Sequence, residues 1–285
     1  SSTAKKELRK ITIDEKRVLD LSISPDERFI NYKLYKAPDK RKTTIVPNYI
    51  TESGYTTDIP GREKVGEPMG TYQFFIYDRK IDSVFEVKVD SIEGITDLPN
   101  YLKDYPQDLL ERTKNNTPRQ VYYRSATWSP SGSHIVLDIW SQDHKDRWLM
   151  LWDTATKKLN LLSRQRDEAW IGGPGIQNTG WIDDQTFWYQ SEETGFSHLY
   201  SINVVSEKKK ALTSGKYEVL NAQLSNDRKY FFLSANEGDP GQHQYYRLRI
   251  ADSYTQKVTA MTGANEVSIS PDEKTIAILH SYTNK

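Results

Sequence analysis

The chain has 285 residues, basic and acidic side chains in equal number at 39 each, and no cysteine. The charge balance leaves no overall field to draw in nucleic acid or an anionic membrane, and the lack of thiols excludes disulfides, zinc–thiolate sites and cysteine nucleophiles. Seven Trp and eighteen Tyr in a chain that is 36% hydrophobic favour strands over helices.

The length fits one large or two ordinary domains, so architecture has to decide between them. The five histidines show neither His-x-His nor His-x-x-x-His spacing, so neither a metal site nor a cofactor is expected. No apolar run approaches 18 residues, and SSTAKKELRK lacks an apolar core, so neither a membrane span nor an export signal is predicted.

In chain order, LRKITID at 8–14 reads as the outer strand of a sheet whose other strands are absent. LSISPDERFINYKL at 21–34 is a strand, a polar turn and a second strand. The same unit recurs as ATWSPSGSHIVLDI, TGWIDDQTFWYQS, AQLSNDRKYFFLSA and VSISPDEKTIAILHS. Taking Pro25, Pro130, Asp183, Asn226 and Pro271 as equivalent, the steps are 105, 53, 43 and 45 residues. A second phase follows the first: FFIYDRKIDSVFEV, LMLWDTATKKLNLL, LYSINVVSEKKKAL and YRLRIADSYTQKVT turn at Asp78, Asp153, Asn203 and Asp252. Four strands per period of about 45 residues is the blade of a β-propeller.

The fold class is therefore all-β: a propeller of four-stranded antiparallel blades over residues 122–163, 175–213, 217–262 and parts of 18–89. With about four complete blades plus partial ones, it is incomplete as it stands. Trp152-Asp153 is a strand-end turn and not a WD40 signature, because the Gly-His partner is missing. Insertions at 37–69 and 90–120 account for the double-length first step. The second contains NYLKDYPQDLLERTKN, where Leu102, Leu109 and Leu110, with Leu98 just ahead of the stretch, make a partial helical stripe broken by Pro106, which predicts one or two short helices off a blade edge. Such an insertion serves either as a substrate-side wall or as a solvated connector.

Gly195-Phe196-Ser197-His198 invites a hydrolase reading. A strand from Phe196 to Val204 points Ser197 and His198 to opposite faces. A nucleophile elbow also needs a second Gly where Leu199 stands. SEETG is instead the turn of a hairpin, and no residue of this chain is assigned a catalytic role. Glu192 and Glu193 read as solvated turn residues.

The stretch SEETGFSHLY resembles the Ser-Glu-x-x-Gly-aromatic-x-His-Leu-Tyr signature of the propeller in the dipeptidyl peptidase IV branch of the prolyl oligopeptidase family of serine peptidases. AWIGGPGIQNTGW before it, then LTSGKYEVL, FFLSANEGDPGQHQYYRLRI and VSISPDEKTIAIL after it, follow the same order of blades. VPNYITESGYTTDIPGREKVG and WSPSGSHIVLDIWSQDHKDRW are similar to bacterial members. The likeness covers most of residues 18–282 and is strongest from 121 to 282.

The resemblance implies a catalytic α/β-hydrolase domain downstream of residues 1–285, carrying a Ser, Asp and His triad that nothing here matches. It also implies peptide substrates, a periplasmic or secreted location, and compatibility with a homodimer. In that family paired Glu residues in an Asp-Trp-x-x-Glu-Glu motif hold the substrate's free N-terminus; the motif is absent here as such. The loop RQRDEAWIGGPG lies where the family's cavity would be, so Asp167, Glu168 and Trp170 are candidate substrate-binding residues, beside a solvated-loop reading. Glu111, with Asp104 and Asp108, is the alternative on the insertion. The competing functions are a stand-alone TolB-like or WD40-like interaction propeller and a propeller glycosidase. The latter needs two carboxylates about 5 to 10 Å apart and has no motif in support.

Overall fold

The chain alternates short runs of apolar, β-branched and aromatic residues with polar turns, and each run becomes a strand. A computed structural model describes residues 9–40 and 42–283. The first sheet contains β1 (Arg17–Ile23) and β2 (Phe29–Lys36), then after an inserted hairpin of β3 (Ile45–Asn48) and β4 (Thr57–Pro60), β5 (Thr71–Asp78) and β6 (Ser83–Glu86). A 3-10 turn (Asn100–Asp104) and α1 (Pro106–Asn115) precede the second sheet, β7 (Val121–Trp128), β8 (Ile135–Ser141), β9 (Asp146–Trp152) and β10 (Leu159–Arg166). The third has β11 (Thr179–Trp181), β12 (Thr186–Ser191), β13 (His198–Asn203) and β14 (Lys209–Ala211). The fourth has β15 (Val219–Leu224), β16 (Tyr230–Ala235), β17 (Gln244–Arg249) and β18 (Thr255–Lys257). A two-stranded sheet of β19 (Ala264–Ile269) and β20 (Ile276–Ser281) ends the described chain.

These four antiparallel four-stranded sheets are the blades that the double-phase repeat predicts. The helical insertion is also present, with Pro106 at the first position of α1, where its missing N–H costs nothing. One expectation fails. Residues 9–14 form no strand, and Leu8 lies outside the described residues. Instead Arg9 Nη1 donates to the Asp82 carbonyl at 2.5 Å, so the segment tethers to the outer turn of the first sheet without pairing with a strand. Blade one therefore begins at β1, whose residues Val18, Leu21 and Ile23 are exposed.

Alternation along the strands explains how the blades stack. On β8, Ile135, Leu137 and Ile139 enter a core shared with Phe29, Phe74 and Ile76 of the first sheet, while Val136 joins Trp181, Phe187 and Tyr189 of the third. Trp148 and Met150 of β9 face the first core and Leu149 and Leu151 face the other. Trp188 and Leu199 then pack with Phe231 and Leu233 of the fourth sheet. A central strand buried on both faces reads as a continuous apolar run, and each large aliphatic it buries stabilises by about 1.5 to 3 kcal/mol.

The equivalent turns also share chemistry. Ser225 Oγ donates to Asp227 at 2.7 Å and accepts from Tyr230 N at 3.0 Å. Ser24 with Asp26 and Phe29 N, and Ser270 with Asp272 and Thr275 N, repeat it. Glu27, Arg228 and Glu273 all take φ near +58°.

One polar link crosses the buried interior. Arg147 and Asp138, 2% and 3% exposed, form a two-pronged pair at 3.0 and 2.9 Å, and Arg147 Nη1 donates to the Gln190 carbonyl of the third sheet at 2.9 Å. Removing one partner of such a pair strands the other charge in a medium that cannot solvate it. Asp138→Ala is expected to cost about 3 to 5 kcal/mol in denaturant unfolding; a loss below about 1 kcal/mol would show that water reaches Arg147.

Candidate functional site

The turn between β8 and β9, the turn between β12 and β13, and the loop from Asp167 to Asn178 meet at one end of the second and third sheets. Backbone bonds lock them together. Asp167 N donates to the Lys145 carbonyl at 3.0 Å and Ile171 N to the His144 carbonyl at 2.7 Å. Asp167 Oδ1 accepts from Ala169 N at 2.6 Å and Trp170 N at 3.2 Å, a side-chain turn that fixes the loop. Trp170 stands 71% exposed.

A cavity of about 510 Å³ opens there, lined by Arg164, Arg166, Asp167, Trp170, Glu192 and Glu193 among others. Its arginines are engaged. Arg164 Nε and Arg166 Nη1 donate to the buried Asp146 at 2.8 and 2.6 Å. Glu193 pairs with Lys209. The acids are less well compensated. Burial, then the nearby Glu218 and Asp167, push the Glu192 carboxyl above its ordinary value. Its side chain lies against Gly173, φ +104°, where an added Cβ would fall 2.2 Å from Glu192 Cδ. The positive φ requires glycine here, and a Cβ would push the Glu192 carboxyl aside.

The structure thus separates the sequence candidates. Asp167 and Trp170 line the cavity. Glu168 does not: Oε2 accepts from Asn100 N at 2.9 Å and Oε1 from Arg166 Nη2 at 2.7 Å. The Asn100 amide first, and Arg166 with it, hold this carboxyl below the usual range despite some desolvation. Glu168 therefore joins the loop to the 3-10 turn. Glu111, Asp104 and Asp108 are exposed on the helical insertion. Glu192, read from sequence as a solvated turn residue, is a wall of the cavity. The signal was Gly173 of the Gly172-Gly173 pair, but only the three-dimensional pairing says that it admits Glu192.

The Ser197 and His198 side chains, both 1% exposed, go separate ways. Ser197 Oγ donates to the Pro174 carbonyl at 2.7 Å and accepts from Gln190 Nε2 at 3.1 Å. The His198 ring lies 3.0 Å from Thr213 Oγ1 and 3.0 Å from the Gly215 carbonyl. The strand starts at His198, two residues later than predicted. Among the described residues, no cluster of three His, Cys, Asp or Glu could hold a metal ion, and no helix is long and apolar enough to cross a membrane.

A raised carboxyl pKa stabilises the fold below the ordinary value of 4.5, and that contribution is lost as pH rises through the folded value. Glu192→Gln is therefore expected to match the unmodified chain near pH 4 and to exceed it near pH 7.5 in denaturant midpoint. Equal or lower stability of the variant at pH 7.5 would contradict the crowding of acids.

Comparison with known proteins then locates this architecture. The model of the family described as the dipeptidyl peptidase IV (DPP IV) N-terminal region matches residues 94–284. Prolyl endopeptidase FAP from Mus musculus is 29% identical over 92 residues, 31% of this chain and 12% of that protein. The Bos taurus protein of the same name is 28% identical over the same coverage. Among solved structures, Porphyromonas gingivalis dipeptidyl peptidase 4 is similar over 92% of this chain and 33% of its own, with TM-score 0.65 and 16% identity. A Bacteroides ovatus protein assigned as a dipeptidyl aminopeptidase IV follows over 90% and 36%, with TM-score 0.58 and 13% identity. The chain spans about a third of those solved chains and a smaller share of the curated relatives.

Proposed function

Since this chain belongs to the dipeptidyl peptidase IV N-terminal region family, we propose that it is the non-catalytic propeller portion of a dipeptidyl-peptidase-like serine exopeptidase, which gates and positions peptide substrates for an α/β-hydrolase domain downstream. The observation that carries this reading is the acidic cavity at the shared end of the second and third sheets. Asp167 and Glu192 hold a cationic group of the substrate there, its terminal ammonium, while Trp170 forms an apolar wall. A carboxylate kept in a partly desolvated recess has more to gain from an ammonium than from water, and a charge-assisted hydrogen bond is roughly twice as strong as a neutral one. Glu168 sets the loop's position. The helical insertion that bears Glu111 is joined to this loop through Asn100 N and Glu168, and the parent works in the periplasm or outside the cell, as the resemblance implies.

The test uses the full-length parent with matched peptides whose N-termini are free or acetylated. Asp167→Asn and Glu192→Gln together are expected to lower the preference in kcat/KM for the free form by roughly 10- to 100-fold, the value of about 1.5 to 3 kcal/mol for hydrogen bonds to charged groups. An unchanged preference would make the cavity structural and the amine-holding assignment wrong.

A further inference from the structure

A second recess, of about 330 Å³, opens between the first two sheets where the first strand of each is irregular. β1 slips register between Leu19 and Ser22, and β7 between Tyr123 and Ser125. Such bulges re-aim side chains. The residues put out of the ladder, Asp20 and Leu21 on one side and Arg124 on the other, line the recess together with Asn31, Phe74 and Tyr123.

Two nearly buried side chains of β2 give this recess its chemistry. Asn31 and Lys33 alternate onto one face of the strand and are 1% and 8% exposed. Asn31 Oδ1 accepts from Trp128 Nε1 and from Ser22 Oγ, both at 2.7 Å. An indole N–H can only donate, which fixes the orientation of the amide. Asn31 Nδ2 is therefore left without a partner among the described residues. Lys33 Nζ donates to the Tyr123 carbonyl at 2.8 Å and pairs with Asp20, which occupies two of its three donor positions. The carboxylate that neutralises it is not locked in. The Asp20 side chain is 65% exposed, and its backbone holds φ +51°, a left-handed conformation unfavourable to a residue with a Cβ.

We propose that this recess binds a small carboxylate with an apolar body, and that Asp20 is the internal occupant which the ligand displaces. The unpaired Asn31 amide calls for an acceptor. The Lys33 ammonium, once Asp20 swings out, calls for a negatively charged one, because a charge buried to that degree is not left unpaired. A neutral ligand meets only the first demand, and a cation meets neither. Arg124 works in the same direction. Its guanidinium rests on the Trp140 ring at 4.7 Å, and no carboxylate pairs with it among the described residues, so Lys33 and Arg124 outnumber Asp20 at the recess. Phe74 and Tyr123, with ring centroids 5.2 Å apart, supply the apolar wall. The volume lies at the small end of ligand-binding clefts, which suits a body of one ring. A carboxylate received by an ammonium makes the stronger, charge-assisted kind of hydrogen bond.

This inference does not rest on the acidic cavity, which other residues wall. Because the Trp128 indole N–H is bonded to Asn31, its nuclear magnetic resonance signal reports on the recess directly. The 285-residue chain, isotope-labelled at its tryptophan nitrogens, is titrated at neutral pH with phenylpropanoate, with phenylpropanamide as the uncharged counterpart, and with inorganic phosphate. The Trp128 signal is identified by its loss in Trp128→Phe. Saturable movement of that signal with phenylpropanoate alone is expected. Asp20→Gly removes the internal competitor and relieves the left-handed strain, so affinity is expected to rise at least about 3-fold, since binding no longer waits for a minor open state. Asn31→Asp keeps an acceptor for Trp128 and turns the free donor into a second acceptor. It is expected to weaken binding about 10-fold or more, the value of one hydrogen bond to a charged group. Should Asn31→Asp misfold, Asp20→Gly keeps the test open, because glycine is at ease at that φ. No response of Trp128, an equal response to the amide, binding of phosphate in place of the carboxylate, or affinity in Asp20→Gly that is unchanged or weaker would each overturn the proposal.

Discussion

Asp146 is a fully buried carboxylate that three guanidinium groups share. Arg119 Nη2 and Arg166 Nη1 each donate to its Oδ2 at 2.6 Å, and Arg164 Nε donates to Oδ1 at 2.8 Å. Taking one carboxylate and three cations out of water is costly, and the cluster persists only because further acids and carbonyls complete it. Asp97 pairs with Arg164, Glu168 with Arg166 and Asp143 with Arg119. Arg119 also donates to the Gly94 carbonyl at 2.8 Å and Arg166 to the Leu98 carbonyl at 3.3 Å. Burial alone would lower the proton affinity of Arg164 and Arg166; the carboxylates beside them overcome it and hold both above the ordinary value. This single point joins β9, β10, the start of β7, the insertion and the Asp167 loop. The acidic cavity inherits walls from it, since Arg164 and Arg166 both line that cavity.

The blade repeat was legible in the sequence because it is written twice, once in the Ser-Pro-Asp type turns and once in the Asp or Asn turns that follow. Asp153 Oδ1 accepts from Ala155 N and Thr156 N, and Asn203 Oδ1 from Val205 N and Ser206 N. Both are local interactions set by neighbours in the chain. The 8–14 segment misled because its alternation is too short to tell a strand from a tether, and its partner at Asp82 is some seventy residues away.

The site was legible only in part, for the same reason. Asp167 and Trp170 announced themselves by a Gly-rich loop. Glu192 did not, since an acid at a hairpin turn is ordinarily solvated, and nothing local says that Gly173 will come to rest on it. Asp146 in HKDRW is indistinguishable from any acid at a strand start; its role exists only once Arg119, Arg164 and Arg166 converge. Asn31 and Lys33 likewise look like ordinary polar residues of a strand until Trp128 and Tyr123 of the second sheet come to rest on them.

The central claim is that the Asp146 cluster holds the insertion and the Asp167 loop in place while the blades stand on their own apolar cores. Hydrogen–deuterium exchange on Asp146→Asn tests it directly. The account predicts that amides of residues 94–104 and 167–172 lose protection while those of β12, β13, β16 and β17 keep theirs. Unchanged protection at both segments, or a uniform loss across all four sheets, would contradict it.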